Sequence, residues 1–333
     1  MLKRDFGVGV IGTGSFLPNK IETNEELCKT LPEEITPEWI IQKTGIKSRR
    51  IAEDGITSSY MAVRAAMLAI KNANINIDDI GLIVCCTHSH EYIFPALSAK
   101  IMKEIGVKNS QVFDLQANCA GFVTGLTVAS DRMFSEPDIK YSLVIGVEMQ
   151  SPFRNIEDYN TAIFLSDGSG AAILGKVETG KGIIASSFHA DPSTYESVRL
   201  RGGGSSFTFK NRNYDPLIDN MEMNGLATWK QAITNLPISI KRTCSKVNLE
   251  VSNIDFFLFH QANFQMISYI MAKSKIPMTK THTNIEEIGN TASASVAIVL
   301  DEALNRNLIN DGDNVMLAAV GAGFIFGTSL WKF

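Results

Sequence analysis

Cysteine is scarce in this 333-residue chain. Five are present, at positions 28, 85, 86, 119 and 244, with neither disulfide-framework nor zinc-ligand spacing. An odd, sparse set points to a reducing compartment, the cytoplasm, and away from a disulfide-stapled secreted domain. Positive charge is not in excess either: 31 Lys and Arg stand against 35 Asp and Glu, a net charge of −4. Without a basic block, nucleic acid is a poor partner. Long hydrophobic runs are missing. The stretches at 141–147 and 315–327 are too short or too rich in glycine to span a bilayer, so no membrane is expected. The first 14 residues lack signal-peptide architecture. What is abundant is ordinary: 45% hydrophobic and 20% charged residues, which argues against general disorder and allows a large core. The length suits two domains, or one duplicated unit.

Strand-like and helix-like runs alternate, the pattern of an α/β fold with mostly buried sheets. Apolar runs predict strands at 6–11, 80–86, 112–115, 141–147, 161–164, 171–174, 182–189 and 254–259. Helices are predicted at 22–31, 37–44, 57–74, 96–105 and 121–134. In 57–74, Met61, Ala65, Leu68 and Ala69 recur at helical spacing, with Ser58 or Ser59 as the cap. The stretch 191–220 is polar, contains Arg201-Gly202-Gly203-Gly204 and shows no period. It reads as a long loop excursion, and loops of that length are usually functional.

The second half of the chain echoes the first. An offset of 174 carries Ile80 to Ile254, residues 141–145 to 315–319, and Val10-Ile11 to Ile184-Ala185. Three strands sharing one offset suggest an internal duplication; the alternative is two α/β halves that happen to keep step. The same offset sets Cys119 on Ser293, each opening an apolar helix.

Few residues stand out for chemistry. Cys119 lies in Asn118-Cys119-Ala120-Gly121-Phe122, between a short strand and a helix. The helix N-terminus would favour its thiolate and make it a nucleophile. A buried structural cysteine is the competing reading. Cys85 and Cys86 sit in an apolar strand and read as core. His260 follows the apolar run Phe256–Phe259, at the strand end where α/β folds place ligands. It is either a donor at the mouth of the sheet or a capped core histidine. Asn290, in Gly289-Asn290-Thr291-Ala292-Ser293, is a second donor or a helix cap. Together the three supply one nucleophile and two hydrogen-bond donors for an oxyanion. His88 and His90 are too poorly supported to be metal ligands, and no metal is expected. Gly12-Thr13-Gly14 is not a dinucleotide fingerprint. Asp167-Gly168-Ser169-Gly170 reads as a structural tight turn.

Motifs along nearly the whole chain resemble the β-ketoacyl-acyl-carrier-protein synthase III family of the thiolase superfamily. They begin with Gly12-Thr13-Gly14, Leu17-Pro18, Glu38-Trp39-Ile40 and Thr44-Gly45-Ile46. Cys119-Ala120-Gly121-Phe122, Met223-Asn224-Gly225, His260-Gln261-Ala262-Asn263 and Gly289-Asn290-Thr291 follow. Gly321-Ala322-Gly323-Phe324 and the terminal Phe333 close the series. The resemblance implies an α/β thiolase fold: two duplicated βαβαβαββ halves, 1–175 carrying the cysteine and 176–333 carrying His and Asn, in a five-layer α-β-α-β-α arrangement. It implies a homodimer, with acyl-CoA or acyl-carrier-protein thioesters as substrates and no cofactor.

The resemblance also assigns roles. Cys119 is the acylated nucleophile and His260 and Asn290 complete a triad. The backbone N–H groups of Cys119 and Ala322 hold the first oxyanion. Trp39, Phe94 and Asn263 contact substrate, Phe94 by crossing the dimer interface and closing the partner's acyl tunnel. The implied reaction is decarboxylative Claisen condensation of an acyl-Cys with a malonyl thioester, giving a β-ketoacyl thioester for fatty acid initiation or a specialised acyl or polyketide pathway. The alternative is an acyltransferase that passes the acyl group to an alcohol or amine without decarboxylation. Some positions depart from the family pattern. The arginine expected opposite Trp39 falls in Asp158-Tyr159-Asn160, Lys43 and Gln265 replace arginines, and Asn118 stands where a small apolar residue is usual. Lys273 and Lys275 are candidates to compensate for Gln265.

Overall fold

The computed structural model describes residues 5–206, 215 and 217–333. Two sheets form its frame. The first orders five strands as β1 (Gly7–Phe16), β7 (Gly168–Val177), β6 (Tyr141–Glu148), β4 (Ile80–Cys86) and β5 (Gln111–Leu115). Strands β4, β5 and β6 are mutually parallel, and β7 runs antiparallel to both neighbours. The second sheet orders β11 (Phe256–Phe259), β12 (Asn314–Gly321), β13 (Ile325–Lys332) and β8 (Gly182–Ala190). Its order repeats that of β4, β6, β7 and β1. Where the first sheet has β5, the second has one parallel bridge, Phe257 to Thr281.

Helices fill three layers. Between the sheets lie α5 (Gly121–Ser135) and α10 (Ala294–Asn305). Their Phe122, Leu126, Val299 and Leu300 pack with Val84 and Val144 on one side and Leu258 and Leu317 on the other. Both helices are apolar over most of their surface, with charges confined to their C-terminal halves, as a layer with sheets on either side favours. The outer face of the first sheet is covered by α3 (Ser58–Ala73) and α4 (Leu97–Ile105). The outer face of the second is covered by α7 (Gly225–Ser245) and α8 (Phe264–Lys273). The result is the five-layer α-β-α-β-α thiolase fold.

Small residues set the layer spacing. A side chain at Gly14 would put its Cβ 2.5 Å from the Ala69 backbone nitrogen, and one at Gly12 would meet Ala73 at the same distance. These glycines let α3 lie directly on β1, a packing role that the missing phosphate fingerprint leaves open.

Several segments differ from the sequence reading. Residues 22–31 are not one helix. They start in β2 (Lys20–Thr23), paired with β3 (Ser48–Ile51), and turn into the short α1 (Asn24–Leu27). A capping box between Thr23 and Glu26 makes that switch. Helix α2 (Pro37–Thr44) forms as expected, with Pro37 in its first turn and Gly45 as its left-handed cap. The strand at 161–164 is instead the end of α6 (Tyr159–Ala162), capped by Asp158. Helix α3 is capped by Thr57, whose side chain accepts from Tyr60 N, not by Ser58 or Ser59. Residues 168–170 lie inside β7, and Asp167 is a buried acceptor for Gln150 N, Ser151 N and Ala52 N. Within 191–220, β9 (Val198–Leu200) pairs with β10 (Met221–Met223); residues 207–214 and 216 of that stretch lie outside the described residues.

Candidate active site

Cys119 sits in a single 3-10 turn, Asn118–Ala120, that leads into α5. Asn118 adopts a left-handed φ of 48°, a conformation that asparagine tolerates better than most residues. Its Nδ2 donates to Ala322 O at 3.0 Å, tying the nucleophile turn of the first half to the glycine-rich turn of the second. The sequence signals neither feature. Gly321 lies against the same turn: a Cβ there would stand 2.5 Å from Ala117 O and 3.1 Å from Cys119 N.

The helix N-terminus does not hold Cys119 as a thiolate. Burial pushes its thiol up to about 12, and the Glu148 carboxylate adds to the rise. The backbone N–H contribution that the sequence reading relied on is present but smaller. The resting group is a neutral thiol.

His260 continues β11, its N–H donating to Ala318 O at 2.9 Å. It is 5% exposed, and burial pulls its pKa down to about 3, so the imidazole is neutral. Nδ1 lies 2.7 Å from Ser295 Oγ, which also accepts from Gln261 N at 3.3 Å. Among the described residues Nδ1 is the serine hydroxyl's one acceptor, which favours the tautomer in which Ser295 donates to Nδ1 and the imidazole hydrogen resides on Nε2. Asn290 is fixed in a similar way. Its Oδ1 accepts from Ala292 N at 2.8 Å, leaving the Nδ2 donor for the cavity. It does not cap α10, whose N-cap is Ser293.

These groups share one cavity of about 750 Å³. Its wall includes Cys119, His260, Asn290, Ala322 and Asn263. Trp229, Tyr195, Arg199 and residues 202–204 of the long excursion line it from the second half. Asn263 caps α8, accepting from Gln265 N at 2.8 Å and donating to Lys43 O at 3.1 Å, so its amide is already committed. Trp39 and Phe94 are not on the wall. Trp39 meets Tyr159 edge-on, 5.8 Å between ring centroids, and Lys43 Nζ stands 5.9 Å from the indole. Phe94 is 82% exposed. Gln265 donates to Gln42 O, and Lys273 to Ile233 O. His88 pairs with Glu148 and His90 with Asp114; among the described residues no cluster of three metal-binding side chains exists.

Family models described as 3-oxoacyl-[acyl-carrier-protein] synthase III and its C-terminal region match residues 113–192 and 244–333. The β-ketoacyl-[acyl-carrier-protein] synthase III of Ehrlichia canis is 36% identical over 322 residues, covering 96% of this chain and 98% of that one. The chain belongs to the β-ketoacyl-[acyl-carrier-protein] synthase III family. The crystal structure of a synthase III from Aquifex aeolicus superposes with a TM-score of 0.90 at 30% identity, over 98% of this chain and 100% of that one. A priming β-ketosynthase of the R1128 polyketide pathway gives 0.90 at 28% identity, over 100% and 98%. Within this synthase III fold, sequence reasoning missed Ser295, Glu148 and Trp229, and it singled out Asn118 without its partner Ala322. Ser295 stands five residues after Asn290 in a run of small residues, and only the fold aims it at His260.

Proposed function

We propose that the cavity joins an acyl group on Cys119 to a malonyl thioester by decarboxylative Claisen condensation. In the first half-reaction the Cys119 sulfur attacks a thioester carbonyl. The carrier thiol departs with the proton of the Cys119 thiol, leaving acyl-Cys119. The backbone around Cys119 and Ala322 supports the oxyanion, since Gly321 brings the two turns into contact. In the second half-reaction the malonyl carboxylate leaves as CO2. Its electron pair becomes an enolate, whose oxygen accepts from His260 Nε2–H and Asn290 Nδ2–H. The enolate carbon then attacks the acyl carbonyl. The new C–C bond forms, the C–S bond to Cys119 breaks, and the released thiolate takes up a proton. The product is a β-ketoacyl thioester.

The observation that carries this reading is the orientation of the donor pair. Ser295 occupies one edge of His260, and Ala292 N occupies the oxygen of Asn290, so both free ends are N–H donors. An enolate needs two donors. An alcohol or amine acceptor needs a base, which Nε2–H does not offer, so condensation is favoured over plain acyl transfer.

Acyl carrier protein and coenzyme A are the proposed thioester carriers, and a homodimer the working state. The surface that supports a dimer is Tyr92-Ile93-Phe94, 63%, 81% and 82% exposed, an apolar tip that one chain leaves in water. His260→Ala and Asn290→Ala test the donor roles. Each keeps acylation of Cys119 and loses about 10²–10³ in CO2 release from malonyl thioester. Normal CO2 release in either variant rejects the pair as enolate donors.

A further inference from the structure

The cavity wall also holds a histidine that the condensation does not use. His88 lies two residues beyond the end of β4 and lines the same cavity, its side chain 14% exposed. Nδ1 stands 3.0 Å from Glu148 Oε1. Glu148 is fully buried and accepts from Ser89 Oγ and Ser293 Oγ, each at 2.7 Å. The same carboxylate acts on Cys119, so His88 and the nucleophile flank one charge. Both ring nitrogens are buried and neither makes a well-aligned hydrogen bond to a described group; Nδ1 faces the Glu148 carboxylate, while Nε2 has no charged partner either.

A buried N–H in a cavity wall with no acceptor is costly unless something entering the cavity supplies one. Glu148 beside Nδ1 favours the imidazolium, the form in which Nε2 also carries a hydrogen, and it raises the pKa against the opposing effect of burial. Nearby wall positions are polar as well: His90, Gln116 and Gln150. We propose that His88 is a specificity residue for the acyl group, donating from Nε2 to an oxygen carried on the chain of the primer held at Cys119. The preferred primers are therefore oxygenated acyl groups, bearing a hydroxyl or a carboxylate, over plain alkyl chains of equal length. An alkyl chain would cover the Nε2–H without satisfying it, and such mismatches discriminate strongly. The inference rests on Cys119 being the acylated residue.

The test is competitive acylation of the full-length protein, read by intact mass. Butyryl-CoA competes in turn with 3-hydroxybutyryl-CoA and with succinyl-CoA; the two arms separate hydroxyl from carboxylate. The proposal expects at least one oxygenated primer to win by about tenfold or more, the scale of one hydrogen bond to a charged group. His88→Leu brings that ratio close to one. His88→Gln, which keeps an N–H donor, retains a clear preference; a mere counter-ion for Glu148 would make Leu and Gln alike. If His88→Leu does not fold, the wild-type ranking and His88→Gln decide. Butyryl winning or drawing level in both arms on the wild type overturns the proposal, as does a preference that survives His88→Leu. No adduct from any thioester overturns the Cys119 assignment itself, and this inference with it.

Discussion

Cys119 begins each turnover as a neutral thiol, because burial and Glu148 together outweigh the helix N-terminus. Its alkylation by iodoacetamide should then rise about tenfold per pH unit between pH 6 and 10, since only the thiolate reacts and its pKa lies near 12. A rate that levels off by pH 8 would contradict this. His260 behaves oppositely: neutral above about pH 3, it stays a one-hydrogen donor throughout that range. Ser295 decides where that hydrogen sits. Ser295→Ala frees Nδ1 to take the hydrogen, and CO2 release should fall about tenfold to a hundredfold while Cys119 still acylates. Ser295→Thr keeps a hydroxyl and should restore most of the rate. Equal loss in both variants would mark a packing effect instead. Cys119 and His260 were visible in the sequence because each sits at a strand-to-helix junction, and Asn290 because a turn of small residues places it just before α10. Ser295 and Glu148 were not, because their importance arises from contacts across 35 and 60 positions of chain; Asn118 stood out as a departure, but its role rests on Ala322, 204 positions away.

Elements with one unmixed signal were read almost to the residue. Strand 80–86 and helix 37–44 form with the bounds expected, the first from an unbroken apolar run, the second from Pro37 and Gly45. Segments with mixed signals misled. Thr161 and Ile163 suggested a strand, yet Asp158 caps a turn of helix there, and two β-branched residues in a run of four cannot arbitrate. The short β9–β10 pair was hidden because its partners are separated by the polar excursion. One element junction is unusually intolerant. Gly321 ends β12 against the nucleophile turn, and Gly321→Ala drives a methyl to 2.5 Å from Ala117 O. Overpacking of this kind costs about 1–3 kcal/mol. Denaturant unfolding should show that loss, and acylation of Cys119 should slow as the turn is displaced. A variant of wild-type stability would mean that the two turns are less closely apposed.

The first half of the chain carries the nucleophile and the second half the two donors, Asn290 being held against Phe164 and Ser166 of the first half. Asn118 and Ala322 link the two, so the site exists only when both sheets are stacked on α5 and α10. The offset of 174 suggested two like halves and set Cys119 on Ser293, while the grouping of Cys119 with His260 and Asn290 came from their motifs; the committed amide of Asn263 and the aromatic edge of Tyr159 on Trp39 were not readable, since they depend on packing between separate elements. At this scale Phe94 tests the proposed assembly. Phe94→Ala should keep a dimer and accept longer acyl chains on Cys119 by intact mass, because a benzyl group fills roughly the room of several methylenes. Loss of the dimer with unchanged chain-length ranking would make Phe94 an interface residue only. The central claim is that carbon–carbon bond formation follows loss of CO2. Acyl-Cys119 enzyme supplied with malonyl-acyl-carrier protein labelled in its free carboxyl should release one labelled CO2 for each β-ketoacyl thioester formed, with no label in the product. Label retained in the product, or acyl transfer without CO2, would contradict it.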